Sequence, residues 1–177
     1  GNDAWFNLGD KDLATHITRT RLLNEGRKLS EITEQIRRAL GVPSRILPMS
    51  DDRVETRVKT ATGEVSFQEF FVKERWTHEV LAVHFVGAEE ARAAPGVLEA
   101  LRHAEAIIIC PSNPITSIGP ILAVPGIRAA LAEANAPIVN RIGEEDAPPV
   151  FRQLHVLEVG PARGVDAHRR AYVHLVV

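Results

Sequence analysis

A chain of 177 residues, 45% of them apolar, can bury the core of one ordinary domain. Its 21 lysines and arginines stand against 23 aspartates and glutamates, and no basic block stands out along the sequence, which argues against nucleic acid or an anionic membrane as a partner. Its single cysteine, Cys110, excludes an intrachain disulfide, disfavours a cysteine-based zinc site and suits a reducing cytoplasm; no leader is read at the start, and no apolar run approaches the ~20 residues that span a bilayer.

In chain order, "GDKDLATHITRTRLLNEG" places Leu13, Ile17 and Thr20 at helical spacing, with Asp10 or Asp12 as N-cap and Gly26 as a stop. "LSEITEQIRRALGV" predicts a second helix, capped by Ser30, striped by Ile32, Ile36 and Leu40, and ended by Gly41. "SRILPM" reads as a short buried strand. "VETRVKTATGEVSFQEFFV" alternates Val54, Thr56 and Val58 before a Thr-Gly turn and Val65 and Phe67 after it, the period of an antiparallel hairpin, and "EVLAVHFV" predicts a further strand. The helix "GVLEALRHAE" then leads into the strand "AIIIC", a polar connection, the helix "PGIRAALAEAN" with Pro125 near its first turn, and the strand "APIV". Strand, helix, strand predicts a parallel crossover. The fold class is therefore α/β with an inserted or edge hairpin.

Three polar foci fall within this frame. "CPSNPITSIG" follows the most buried strand, at the end where ligands collect in open parallel sheets. Ser112, Thr116 and Ser117 offer hydroxyls, Asn113 an amide, and Gly119 close backbone approach, a chemistry suited to phosphate oxygens. The same residues also fit a capped, proline-stiffened connection that binds nothing. In "LGDKDLATH", Asp10 and Asp12 flank Lys11 at a helix opening, either as caps in a solvated cluster or as groups orienting Lys11 over an anionic or carbonyl-rich ligand. In "LPMSDDRVETRV", Ser50, Asp51 and Asp52 follow a strand directly. Adjacent carboxylates can hold Mg²⁺ together with substrate phosphates, and they are also ordinary turn residues.

Taken together, "WFNLGDKDLATHITRTRLL", "LSEIT", "ILPMSDDRVETRV", "FQEFFVKER" and "PSNPITSIGPILAVPGIR" resemble, in order, the 2-phospho-L-lactate transferases of coenzyme F(420) biosynthesis, over residues 3 to 139. The resemblance implies a Rossmann-like three-layer sandwich with a mostly parallel sheet and an antiparallel β-hairpin insertion. It also implies transfer of a phospholactyl, or phosphoenolpyruvyl-type, group from a guanosine diphosphate conjugate to the deazaflavin Fo, with release of GMP and help from Mg²⁺. Lys11 would then contact the deazaflavin, with Asp10 and Asp12 beside it. Ser112, Asn113, Ser117 and Gly119 would lie by the guanosine diphosphate. Ser50, Asp51 and Asp52 would line the same cleft, with Asp51 and Asp52 the expected catalytic pair, and Gln68 to Phe71 would wall the acceptor side. Phosphoryl transfer is mostly positioning and charge neutralisation, so hydroxyls, amides, a cation and a metal suffice. A homodimer in the cytoplasm is the expected setting.

The family's opening strand, Gly-rich phosphate loop and Asp-rich segment are not matched here, nor is its continuation beyond "APIV". On this reading residues 1–140 are the central part of the transferase α/β domain and 141–177 an unmatched segment, so the chain alone is expected to have little or no transferase activity. Within that segment "LHVLEV" suggests a strand and "GVDAHRRAYV" a helix. His155, His168 and His174 share no helical ligand spacing and are read as surface or packing residues. A nucleotide-binding module without catalysis and a fragment that assembles with other chains are the other readings.

Overall fold

The computed structural model describes residues 8–110, 112–140 and 175–176. Helix α1 (Asp10–Asn24) lies against α2 (Leu29–Ala39), and both end where predicted, at Gly26 and Gly41, whose φ of 82° and 66° an L side chain rarely adopts. A short strand, β1 (Leu47–Pro48), precedes β2 (Glu55–Thr60) and β3 (Gly63–Ser66). A π-helical turn, Glu69–Lys73, leads toward β4 (Val80–Val86). Beyond it come α3 (Val97–Arg102), β5 (Ile107–Ile109), a second π-helical turn at Pro114–Ile118, α4 (Gly119–Ala123), α5 (Ile127–Glu133) and β6 (Ile138–Asn140).

The predicted hairpin is the centre of a three-stranded antiparallel sheet, ordered β3-β2-β4, in which Val58 faces Val65 on one side and Val83 on the other. The predicted crossover is present as a parallel pair, Ile107 beside Ile138 and Ile109 beside Asn140. A second parallel pair joins β1 to β7 (Leu175–Val176), a strand the sequence reading missed. The fold is α/β, and its described strand pairings are parallel and antiparallel in equal number, so the antiparallel part is larger than an inserted hairpin. The expected strand at "LHVLEV", the expected helix at "GVDAHRRAYV" and the three C-terminal histidines lie outside the described residues. Among the described residues, no single helix is long and apolar enough to cross a membrane.

Two apolar clusters hold these elements. The larger gathers Val97 and Leu101 of α3, Ile107 of β5, Ile121 and Leu122 of α4, and Ile127 of α5. The smaller lies at the antiparallel sheet and contains Val58, Phe70, Val80 and Ile115. The polar connection after β5 therefore takes part in both, through Ile115 in one and Ile121 in the other. It is not an open loop: Pro114, Ile115, Thr116, Gly119 and Pro120 are all buried within helical turns.

Several local expectations are corrected. Leu13 and Ile17 are 48% and 60% exposed, because α1 turns Leu22, its one buried residue, inward instead of the predicted stripe. Neither Asp10 nor Asp12 caps α1; Gly9 holds the N-cap position and no side chain accepts there. Ser30 does not cap α2 either, since Lys28 is the N-cap and Ser30 sits inside the first turn. Leu40, at the C-cap of α2, is exposed, while Ile32 carries the contact to the interior. Pro125 precedes α5, whose N-cap is Gly126.

Gly119 sets the distance between α4 and the antiparallel sheet, because a Cβ there would stand 2.6 Å from Cζ of Phe85 in β4. Gly119→Ala should destabilise the fold by about 1–3 kcal/mol through overpacking, and Phe85→Leu should recover part of that loss in the double variant, as measured by urea denaturation. An equal loss in both backgrounds would show that Phe85 is not the obstacle. On α2, Glu34 accepts two hydrogen bonds from Arg37 (2.7 and 2.8 Å) and one from Arg38 (2.6 Å), which hold its carboxyl at about 2, against an ordinary 4.5. A carboxyl depressed by folding stabilises above its unfolded value and loses that contribution as pH falls through the folded one. The difference in melting temperature between wild type and Glu34→Gln should therefore be steady above about pH 5 and shrink between pH 4.5 and pH 2.

Candidate functional site

At the connection after β5, Asn113 is the N-cap of the second π-helical turn, and its Oδ1 accepts from the backbone N–H groups of Ile115 (3.0 Å) and Thr116 (2.9 Å). Its backbone carbonyl accepts from the N–H groups of Ser117 and Ile118, both at 3.1 Å, the double use that closes a π turn. The acceptor end of Asn113 is thus committed to the chain, while its amide N–H₂ makes no hydrogen bond among the described residues. Ser112 is exposed and Ser117 half-buried, and neither hydroxyl is engaged by another described residue. The Thr116 hydroxyl is buried without a hydrogen-bond partner among the described residues. Leaving such a group unpaired costs about 1–3 kcal/mol and marks a place where a water or ligand atom belongs. Gly119 is filled from the sheet side by the Phe85 ring, so its missing side chain has a packing reason.

The turn after β1 is tied on every side. Ser50, 2% exposed, donates its hydroxyl to the Arg92 carbonyl at 2.6 Å and accepts from the Asp52 N–H at 3.0 Å. Asp52 Oδ2 accepts from the Arg92 N–H at 2.8 Å. Asp51 accepts with both oxygens from Ser30, from its N–H at 2.7 Å and from its hydroxyl at 2.9 Å. Asp51 therefore satisfies donors of the first turn of α2 from 21 residues away, the service the sequence reading had given to Ser30 itself. Its pairing with Ser30, and the part played by Arg92, carried no sequence signal, since Arg92 contributes only backbone groups.

At the start of α1, Asp10, Lys11 and Asp12 are all exposed. Asp10 Oδ1 accepts from the Lys11 backbone N–H at 2.8 Å, and neither aspartate pairs with the Lys11 ammonium, which is in no ion pair among the described residues. An unpaired cation at a helix opening is available to an anionic or carbonyl-bearing ligand. An open groove farther along α1, 560 Å³ in volume and lined by His16, Ile17, Thr20 and Arg21, contains none of the expected site residues. No hydrogen bond or ion pair among the described residues links the three foci to one another. Each is a separately built surface.

For a metal, no group of three or more histidine, cysteine or acidic side chains converges among the described residues. Magnesium is commonly held by one or two carboxylates together with substrate phosphates, and the donor set here fits that form. Asp52 is exposed and leaves Oδ1 free of any described partner, whereas both Asp51 oxygens are already accepting hydrogen bonds. A further polar and aromatic region lies at the first π-helical turn. Gln68 is exposed, Phe70 buried and Phe71 37% exposed, and Trp76, which the sequence reading passed over, lies against Phe71.

Known proteins resemble this chain over most of its length. A phosphoenolpyruvate transferase of Streptomyces griseus is 55% identical over 140 residues, covering 77% of this chain and 44% of that protein. The phosphoenolpyruvate transferase of Mycobacterium tuberculosis strain H37Ra is 48% identical over 142 residues, 77% of this chain and 43% of its own length. The chain thus spans less than half the length of these relatives. A solved structure of a UPF0052-family protein from Bacillus halodurans superimposes with a TM-score of 0.58 at 22% identity, covering 70% of this chain and 39% of that one, a likeness of fold. The pattern of one family, described as 2-phospho-L-lactate transferase CofD, matches residues 3–148, and the chain belongs to that family.

Proposed function

We propose that this chain carries part of the substrate-binding and transfer machinery of a transferase of coenzyme F(420) biosynthesis. The observation that carries the reading is the family match across residues 3–148, with relatives named phosphoenolpyruvate transferase. The donor would be a guanosine diphosphate conjugate of phosphoenolpyruvyl or phospholactyl type and the acceptor the ribityl hydroxyl of Fo. A bond forms between that hydroxyl oxygen and the distal phosphorus, the hydroxyl proton passes to solvent, the bridging phosphorus–oxygen bond breaks, and GMP leaves.

The free groups suit these parts. Ser112, Ser117, the Asn113 amide and the Thr116 hydroxyl are hydrogen-bond donors without described acceptors, the requirement for gripping diphosphate oxygens. Lys11 supplies a cation for the acceptor, with Asp10 and Asp12 flanking it. Asp52 would hold Mg²⁺ through its free oxygen and the donor phosphates, and the ion would neutralise charge developing on the transferred phosphoryl group. Asp51, its oxygens engaged by Ser30, would fix the turn that aims Asp52, so the pair divides into a positioning and a metal-facing carboxylate. A Rossmann-like three-layer arrangement, a homodimer and a cytoplasmic setting complete the reading.

Calorimetric titration with GDP should show binding that weakens roughly 10- to 150-fold in each of Asn113→Ala and Ser117→Ala, about 1.5–3 kcal/mol per charged-acceptor hydrogen bond lost. Equal affinity in wild type and both variants would remove the connection from the donor site. Lys11→Ala should weaken binding of Fo and spare GDP, and Lys11→Arg should retain Fo. The opposite split would exchange the two assignments.

A further inference from the structure

The segment between β3 and β4 departs from ordinary backbone geometry in two consecutive ways. Glu69–Lys73 is a π-helical turn, a rare conformation concentrated at functional sites. Directly after it, Arg75 and Trp76 adopt φ of 49° and 47°, the only residues other than glycine with positive φ among those described. For a residue as large as tryptophan this is a genuine outlier, worth on the order of 1–3 kcal/mol of strain, and it persists only where neighbours over-determine it. Here they do: the Trp76 N–H donates to the Phe70 carbonyl at 3.0 Å, and the Thr77 N–H and hydroxyl both donate to the Glu74 carbonyl, at 3.1 and 2.8 Å.

The π-helical turn and the strained pair that follows it carry rings in a series. Phe67 stacks on Phe71 with centroids 5.4 Å apart and planes 29° apart, and Trp76 lies 4.7 Å from Phe71 at 47°. The inner end is anchored, since Phe67 packs against the cluster of Val58 and Phe70. The outer end is open, with Phe71 37% and Trp76 49% exposed. The two exposed parts amount to on the order of 200 Å², several-fold below the ~800 Å² per partner of a stable protein interface but suited to one flat ring system. Beside them Arg75 is exposed and in no ion pair among the described residues.

We propose that Phe71 and Trp76 form a stacking platform for the planar conjugated ring of a small molecule, with Arg75 pairing negative charge on that ring. Resting on the reading under Proposed function, the ring is that of the deazaflavin acceptor. The backbone strain is what holds the indole outward against the tendency of such a side chain to bury itself.

The test uses the Trp5→Phe chain, in which Trp76 is the sole tryptophan. Fo, FMN and GDP are titrated separately, following Trp76 fluorescence and, by calorimetry, the affinity. Fo should quench and GDP should not. Phe71→Leu and Trp76→Leu, followed by calorimetry, should each raise the Kd for Fo roughly 5- to 150-fold, the loss seen when one stacking ring is removed, while Trp76→Phe retains most of the affinity. Trp76→Gly, suited to the left-handed backbone, should also lose Fo and guards against a leucine variant that fails to fold. Unchanged Kd in the leucine variants overturns the platform while leaving Fo as the acceptor. Quenching by FMN with no binding of Fo keeps the platform and removes the acceptor assignment. Binding of neither ring overturns the proposal, as does concentration-dependent self-association that the leucine variants abolish without any ring binding.

Discussion

Everything described after β5 depends on how residues 113 to 122 are pinned. The Asn113 side chain gathers two orphan N–H groups of the turn that follows, which fixes the direction in which the chain leaves the strand. Ile115 then enters the cluster at the antiparallel sheet, and Ile121 and Leu122 enter the helical one. Between these anchors the Phe85 ring presses on Gly119, so the turn can move neither toward β4 nor away from it. Rigid spacing of this kind would suit the proposed presentation of several donors to one anion, because little ordering would remain to be done on binding.

The turn at Ser50 to Asp52 reaches rigidity by another route. Its polar atoms are bonded to backbone groups of α2 and of the stretch after β4, so three parts of the chain meet at a few short hydrogen bonds. The same bonds reduce what the turn can offer a ligand. Of the two adjacent carboxylates, one is consumed in construction and one keeps an oxygen without a partner among the described residues, a difference in role that the dipeptide itself does not express.

Much of this was legible in the sequence, and the omissions have physical causes. Hydrophobic periods and turn glycines located both N-terminal helices, the hairpin, the third antiparallel strand and the parallel pair at Ile107 and Ile138, since each is a local pattern. The exposure of Leu13 and Ile17 was hidden because periodicity says which residues share a face and leaves open what covers it. The capping of α2 differs from the sequence expectation because a nearby serine usually supplies the accepting oxygen, whereas here Asp51 supplies it from a distant turn. The two π-helical turns have no propensity signature, so "NPITSIG" read as a loop. The rings at Phe71 and Trp76 were visible as letters, but their outward placement follows from backbone angles that composition does not predict.

The bonds from Ser50 and Asp52 to Arg92 join residues 42 and 40 positions apart. Such contacts close long loops, and their entropic cost falls due before the bond returns anything, so they form after the local β2–β3–β4 meander has drawn its two ends together. The acidic turn is then a late event in folding, closing on a meander that is already in place. Amide exchange at Arg92, whose N–H is held by Asp52 alone among the described residues, would report opening of this turn without unfolding of either apolar cluster.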